Sequence, residues 1–222
     1  RRKEIETLTS IPVYGELPRK PRKLKNQEIV VNLEEPSELS ECFPLLAERM
    51  VALSDGNGGN PLSVLITSTC SGEGKTYLSV NLALSLAVAG KKVLLMDMDL
   101  RKGALSALLG GAGKPGLGDL EQAGEGGWRS LVEQSPVSDH LDYLFAGTVP
   151  DHPSRLLLHD RIRKLMEEVK EQYDFIFMDC VPYSSLADAR IVARLADVTL
   201  YVMRAGCVKK RDLAGLQKRS EE

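Results

Sequence analysis

Short apolar runs alternate with longer amphipathic segments along the chain from residue 62 onwards. Unbroken apolar runs are typical of strands that are buried on both faces, whereas a 3.6-residue apolar period indicates a helix packed on one face. This alternation predicts an α/β fold, with a doubly wound, mostly parallel sheet flanked by helices. The predicted strands are residues 62–67, 93–96, 141–145, 175–178 and 198–203, and the predicted helices are residues 76–89, 104–109, a short one near 128, 154–172 and 188–195.

The first 35 residues differ from the rest of the chain because charged residues and prolines replace the apolar runs. Proline lacks a backbone N–H and interrupts regular elements, so Pro12, Pro18 and Pro21 predict an extended arm. We therefore divide the chain into an N-terminal arm, residues 1–35, and one domain, residues 36–222.

Two further helices are predicted near the ends of this domain. Apolar residues recur at helical spacing over residues 36–53, but Pro44 lies inside the pattern and predicts an interrupted helix. A basic helix is predicted after Gly206. A doubly wound sheet could carry one more strand beyond residue 222, so we expect either a truncated domain or a naturally short one.

Length and charge limit the possible functions. The 222 residues, 43% of them hydrophobic, can bury one substantial core, and 29 basic against 31 acidic residues leave no overall attraction for nucleic acid. A basic excess before residue 26 fits either a contact with anionic lipid or a solvated arm. The most apolar stretch, residues 82–89, is too short to span a bilayer.

Cysteine and histidine spacing argues against disulfides and against a histidine or cysteine metal site. The four cysteines lie far apart without a CxxC pair, which favours a reducing cytoplasm. The three histidines have no acidic neighbours at the spacing of a metal site, so no metal is predicted from them.

A glycine-rich segment, TSTCSGEGKT over residues 67–76, joins the strand at 62–67 to the following helix. Its last five positions match a phosphate-binding loop, although Thr69 replaces the usual opening glycine. Glycines let consecutive N–H groups form an anion nest at a helix N-terminus, while the lysine can reach the phosphates and the threonine hydroxyl can ligate magnesium. The alternative is a glycine turn with an incidental lysine. The predicted nucleotide-binding residues are Ser71, Gly72, Glu73, Gly74, Lys75, Thr76 and Tyr77.

Carboxylates follow two other predicted strands. Asp97 and Asp99 end the strand at 93–96, and their spacing puts both side chains on one face of an extended chain. Two like charges about 4 Å apart repel by roughly 4 kcal/mol at an effective dielectric near 20, so we expect a cation or water between them. The alternative is that one caps the next helix and the other is solvated. Asp179 follows the apolar run 175–178, as a Walker B aspartate does.

These motifs resemble those of the bacterial tyrosine kinases, the cytoplasmic ATPase domains coupled to capsule and exopolysaccharide export. The resemblance covers essentially the whole chain. TSTCSGEGKT is similar to their phosphate loop, LLMDMDLRKG to their second Walker-type motif with its specific DxDxR pattern, and FIFMDCVP to their Walker B region. SIPVYGELPRK is similar to the stretch that follows the second membrane helix when kinase and membrane adaptor are fused.

The resemblance implies a P-loop NTPase fold, ATP and Mg²⁺ as cofactors, and transfer of the γ-phosphoryl group to tyrosine hydroxyls. Its implied partners are a fused or separate membrane adaptor of the polysaccharide co-polymerase type, further copies of the chain, and a tyrosine-containing protein, at the inner face of the bacterial plasma membrane. It implies that Lys75 stabilises the phosphoryl group, that Asp97 takes the hydroxyl proton and that Arg101 orients the carboxylates. The implied catalytic residues are Lys75, Asp97, Asp99 and Arg101, and the implied metal ligands are Thr76, Asp99 and Asp179.

Two other functions remain open. A partition or septum-positioning ATPase shares the fold but usually carries a signature lysine early in the loop, where this chain has Cys70. A non-catalytic nucleotide-binding scaffold is favoured by departures from the kinase pattern. The glutamate and two arginines of the kinases' ring-forming helix correspond here to Glu41, Pro44 and Ala47, and no tyrosine follows Tyr201.

Overall fold

The computed structural model describes residues 2–22, 28–31, 37–183 and 187–208. These residues contain one six-stranded sheet. The spatial order is β3-β4-β2-β5-β1-β6, and every neighbouring pair is parallel except β3 with β4. The predicted mostly parallel α/β sheet is therefore confirmed, and β3 is an addition to it. The strands are β1 (Leu62–Ser68), β2 (Val93–Asp97), β3 (Val132–Gln134), β4 (Leu141–Leu144), β5 (Phe175–Asp179) and β6 (Val198–Val202).

Helices pack on both faces of the sheet. Every residue of β1 is buried, and its side chains alternate between two core clusters: Val64 and Ile66 belong to one, Leu65 to the other. The first cluster contains α2 and α3, and the second contains α6, α7 and α8. The helices are α1 (Arg2–Leu8), α2 (Glu38–Gly56), α3 (Lys75–Val88), α4 (Ala104–Leu108), α5 (Leu120–Ala123), α6 (Pro153–Leu158), α7 (Asp160–Lys170) and α8 (Ala187–Ala193), with 3₁₀ turns at Leu117–Asp119 and Gly127–Leu131.

Helix α2 is continuous through Pro44, so the predicted interruption is wrong. Proline removes one helical N–H donor, but Ser37 and Ser40 form a reciprocal capping box at the start of α2. Phe43 and Met50 on the same helix are fully buried. Capping and packing together outweigh the lost hydrogen bond.

The helix predicted at 154–172 is two helices, because His159 lies between them in an extended conformation with φ −68° and ψ 141°. The imidazole of His159 accepts a hydrogen bond from the N–H of Arg161 at 3.2 Å and so caps the start of α7. The apolar period continues across this break, which is why the sequence pattern does not reveal it.

The N-terminal arm is not wholly extended, and some of its residues pack against the core. Its first residues form α1, contrary to the prediction, whereas residues 9–21 contain neither helix nor strand. Tyr14 and Leu17 pack against the core, and the guanidinium of Arg49 donates to the Tyr14 carbonyl. The basic helix predicted after Gly206 falls almost entirely on residues 209–222, outside the described residues. Within the described ranges, no helix is both long enough and apolar enough to cross a bilayer.

Candidate nucleotide-binding site

Residues 69–74 connect β1 to α3 and form the predicted phosphate loop. Gly72 has φ +83° and Gly74 has φ +99°, a conformation that glycine adopts without the strain of a side chain. Helix α3 begins at Lys75, directly after Gly74, so the free N–H groups and positive end of the helix belong to the loop. This local structure suits the binding of an anion such as phosphate.

Glu73 stabilises the phosphate loop through hydrogen bonds that its carboxylate accepts. It is 7% exposed, and its carboxylate accepts hydrogen bonds from the backbone N–H of Cys70 at 2.6 Å and of Arg204 at 3.3 Å. The Arg204 guanidinium also donates to the Gly72 carbonyl at 3.4 Å. These contacts join the loop to the segment that follows β6. Ser71, another predicted loop residue, is exposed.

The side chains of Lys75 and Tyr77 lie in different environments. The Lys75 amine donates to the Ser68 hydroxyl at 3.2 Å and so lies at the end of β1. The Tyr77 ring packs edge-on against Phe43 of α2, with ring centroids 5.8 Å apart, and Lys20 lies 4.8 Å above it. Burial raises the pKa of Tyr77 to about 12. The ring of Tyr77 therefore contributes to packing between helices.

Strand register brings two of the predicted carboxylates to the same edge of the sheet. Asp97 at the end of β2 is the register partner of Asp179 at the end of β5, and the Met98 N–H donates to the Asp179 carbonyl at 2.8 Å. On the other side of β5, Asp179 is paired with Ile66 of β1, two residues before the strand ends in the phosphate loop. The sheet therefore collects the loop and both carboxylates at its carboxyl edge.

Asp179 is held by two hydroxyls of α3. Thr76 donates to one carboxylate oxygen at 2.7 Å, and Ser79 donates to the other at 2.9 Å. Burial and, to a smaller extent, the charge of Asp97 raise the pKa of Asp179 to about 7, while these two hydrogen bonds and the charge of Lys75 oppose the shift. The hydrogen bond from Thr76 brings together two of the predicted magnesium ligands, Thr76 and Asp179.

Asp97 is completely buried and interacts with the first turn of α4. One carboxylate oxygen accepts from the Ser106 hydroxyl at 2.6 Å and from the Ser106 N–H at 2.8 Å. The other oxygen accepts from the Asp99 N–H at 3.1 Å. Burial raises the pKa of Asp97 to about 6, against these hydrogen bonds. This contact with α4 is the one expected if Asp97 caps the next helix. The raised pKa also makes the Asp97 carboxylate suited to accept a proton.

Asp99 and Arg101 are fixed by other groups. Asp99 is half-buried and accepts a hydrogen bond from the Lys102 N–H at 3.1 Å. Arg101 pairs at 2.9 Å with Asp188 of α8, a carboxylate whose side chain is 3% exposed, and it donates to Ser154 at 3.3 Å. The structure thus places the guanidinium on Asp188 and Ser154 instead of on the clustered carboxylates.

The donor atoms at the site fit magnesium. The Thr76 hydroxyl and the Asp179 carboxylate are adjacent oxygen donors, and Asp99 adds a half-buried carboxylate at the same edge of the sheet. No group of three or more His, Cys, Asp or Glu side chains suited to a metal occurs among the described residues. Because magnesium is usually bound by one or two carboxylates together with substrate phosphates and water, these residues fit an ion shared with a nucleotide.

Sequence reasoning missed the residues that position the predicted ones. Ser79 could have been found, since it lies three residues after Thr76 and therefore on the same face of α3. Ser68 lies within the glycine-rich segment and Ser106 lies nine residues after Asp97, whereas Ser154, Asp188 and Arg204 come from distant parts of the chain. The missed residues are Ser68, Ser79, Ser106, Ser154, Asp188 and Arg204.

Known proteins are similar to this chain in sequence and in fold. The sequence profile of the CobQ/CobB/MinD/ParA nucleotide binding domain matches residues 64–194. Tyrosine-protein kinase YwqD of Bacillus subtilis is 33% identical over 200 residues, which cover 88% of this chain and 81% of YwqD. The solved kinase domain of the Escherichia coli tyrosine kinase ETK is 26% identical, with a TM-score of 0.83 over 98% of this chain and 88% of that domain.

Longer relatives match over a smaller share of their length. Putative tyrosine-protein kinase EpsB of Ralstonia solanacearum is 40% identical over 148 residues, 67% of this chain but 19% of EpsB. The chain thus spans about a fifth of such relatives. The fold and the phosphate loop define a P-loop nucleotide-binding domain. The chain belongs to the CobQ/CobB/MinD/ParA nucleotide-binding family and, within it, to the bacterial tyrosine kinases.

Proposed function

We propose that the chain is the catalytic domain of an ATP- and magnesium-dependent protein tyrosine kinase that regulates the synthesis and export of capsular polysaccharide or exopolysaccharide. The observation that carries the proposal is the buried Asp97, one strand across from Asp179 and at the same sheet edge as the phosphate loop. Phosphoryl transfer to a hydroxyl requires a group that accepts the hydroxyl proton, and a carboxyl with a pKa of about 6 can do so near neutral pH.

Each group at the site then has a defined role. Lys75 and the N–H groups of the loop bind the triphosphate, and Thr76, Asp99 and Asp179 hold Mg²⁺. Bound magnesium would neutralise charge on the phosphate oxygens. A tyrosine oxygen forms a bond to the γ-phosphorus, the bond from that phosphorus to the ADP oxygen breaks, and Asp97 accepts the hydroxyl proton. Arg101, through Asp188, fixes the turn that carries the carboxylates.

We further propose a setting for this activity. The partners are a membrane adaptor of the co-polymerase type, fused or separate, further copies of the chain, and a protein that offers tyrosines, with no nucleic acid among them. The small share of EpsB that this chain matches supports a larger protein around the kinase segment. The domain, residues 36–222, would work at the inner face of the bacterial plasma membrane, with residues 1–35 leading towards the adaptor.

A transfer assay with matched lysine variants tests the proposal. The chain is incubated with ATP, Mg²⁺ and a glutamate–tyrosine copolymer, and phosphotyrosine is measured. We expect Lys75→Met to reduce transfer by at least about a hundredfold, because the phosphate charge loses its main cationic partner. Lys91→Met is the control: the substitution is the same, but Lys91 lies just beyond the other end of α3. Undiminished transfer by Lys75→Met would contradict the proposal.

The same assay separates the two competing functions. ATP hydrolysis with nucleotide-dependent dimerisation but no phosphotyrosine would support a partition or septum-positioning ATPase. Nucleotide binding without hydrolysis or transfer would support a non-catalytic scaffold of the export complex.

A further inference from the structure

Ser79 lies one turn into α3, below the residues that are expected to touch the nucleotide. Residues three apart on a helix share a face, so its side chain lies under that of Thr76. Ser79 is 0% exposed, and its hydroxyl lies 2.9 Å from the carboxylate of Asp179 and 3.0 Å from the Lys75 carbonyl. Nothing in its position lets it contact solvent or substrate directly.

We propose that Ser79 is a positioning residue that fixes the orientation of the magnesium-binding carboxylate. The two oxygens of Asp179 are divided between two donors: Oδ2 accepts from Thr76 and Oδ1 accepts from Ser79. With only Thr76 as a donor, the carboxylate could rotate about its last bond and still keep one hydrogen bond. With both donors the plane of the carboxylate is fixed, and Oδ2 stays beside the Thr76 hydroxyl.

Burial of Asp179 favours a hydroxyl at position 79. Asp179 is 3% exposed, so a carboxylate oxygen that loses its donor cannot regain one from bulk water. Groups that orient a metal ligand without touching the metal typically change metal affinity by about 10–100-fold when they are removed. The inference rests on the proposed function, since it takes Asp179 as a ligand of magnesium.

Helix α3 also provides a matched control. Ser85 is 5% exposed, and its hydroxyl has no hydrogen-bond partner among the described residues, so this serine contributes volume to the core and no contact at the site. Serine-to-alanine substitution at either position removes one buried oxygen from the same helix. Only the substitution at position 79 removes a donor to Asp179.

The test measures nucleotide affinity with and without magnesium. The dissociation constant of a fluorescent ATP analogue is determined for the full chain in excess Mg²⁺ and in EDTA. We expect Ser79→Ala to reduce the gain in affinity due to Mg²⁺ by about tenfold, with the affinity in EDTA within about twofold of wild type. Ser79→Cys is similar in size but offers only a weak donor, so the gain in affinity due to Mg²⁺ should fall in this variant as well. Ser79→Thr keeps a hydroxyl, so its gain should be larger than that of Ser79→Ala. Ser85→Ala should leave both affinities unchanged.

Thermal melting in EDTA shows that each variant is folded before its affinities are compared. The inference is overturned if Ser79→Ala keeps the wild-type gain from Mg²⁺, or if it loses the same factor in Mg²⁺ and in EDTA, as a merely structural role would predict. A wild-type chain whose nucleotide affinity does not depend on Mg²⁺ would instead overturn the proposed function, and the inference with it.

Discussion

At the scale of single residues, the two buried carboxylates differ in the groups that donate to them. Asp179 accepts from the hydroxyls of Thr76 and Ser79, which can rotate and become acceptors. Asp97 also accepts from the backbone N–H groups of Ser106 and Asp99, which can only donate. Replacing each carboxylate by a carboxamide should therefore have opposite consequences for stability.

We predict that Asp179→Asn stabilises the metal-free protein above neutral pH. Burial raises the pKa of Asp179 from 3.8 to about 7, so the folded state binds this proton more tightly than the unfolded state does. The resulting stabilisation is complete below the unfolded pKa and is lost as the pH rises through the folded one, a change on the order of a few kcal/mol. A neutral amide cannot lose a proton, and its hydroxyl partners can accommodate it.

Urea unfolding in EDTA at a series of pH values between 5 and 9 measures this effect. The free energy of unfolding of Asp179→Asn should exceed that of wild type at high pH and vary less with pH. Asp97→Asn is the contrast: its amide would face the N–H of Asp99 or that of Ser106, two donors without an acceptor, and stability should fall. A loss of stability in Asp179→Asn at pH 8 would refute the argument.

The carboxylates were predictable as a group because each lies at the end of a buried strand or within two residues of it, and parallel strands end at one edge. Their partners were not, because Ser106 and Asp188 come from helices whose packing is a tertiary outcome. For the same reason, the partner of the Arg101 guanidinium could not be predicted from the sequence. The DxDxR pattern suggested a role near Asp97 and Asp99, but the guanidinium finds its buried partner on α8.

At the scale of elements, strands that are buried on both faces were predictable and the irregular elements were not. Strand β3 reads Val-Glu-Gln, which is too short and too polar to give a strand pattern, and among the described strands it pairs with β4 alone. Helix α2 tolerates Pro44 because tertiary packing outweighs a local propensity.

Asn81 connects α3 to the N-terminal arm. It is 0% exposed, and its carbonyl oxygen accepts from the Val30 N–H at 2.7 Å, while its amide donates to the carbonyls of Glu28 and Tyr77 at 2.7 and 2.8 Å. The arm is thereby fastened to the helix that begins at the phosphate loop. The division into arm and domain drawn from composition stays a prediction, and these contacts join the two parts tightly.

We predict that Asn81→Ala releases the arm. The substitution leaves the Val30 N–H and the Glu28 carbonyl without this partner and should lower the free energy of unfolding by about 2 kcal/mol. Hydrogen exchange at residues 28–31 should accelerate more than exchange in β1. Asn60→Ala is the control, because Asn60 is exposed and its amide donates to the nearby Asn57 carbonyl, far from the arm in sequence. Equal exchange at residues 28–31 in wild type and Asn81→Ala would show that the arm is held by other contacts.

At the scale of the whole molecule, the site lies where both layers of helices meet the carboxyl edge of the sheet. Helix α3 on one face contributes Lys75, Thr76 and Ser79, whereas α8, whose side chains belong to the other core cluster, contributes Asp188. A ligand that joins these parts should stabilise the entire fold, since only the folded chain assembles them.

We therefore predict that ATP with Mg²⁺ raises the melting temperature of the chain. At a ligand concentration about a hundred times the dissociation constant, binding stabilises the folded state by about 2.7 kcal/mol, or roughly 5–10 °C for a domain of this size. Differential scanning fluorimetry with a non-hydrolysable ATP analogue measures the shift in Mg²⁺ and in EDTA. The shift should be largest in Mg²⁺, should nearly vanish in Lys75→Met and should persist in Lys91→Met, because only Lys75 lies at the phosphate loop. An equal shift for both lysine variants would place nucleotide binding elsewhere on the molecule.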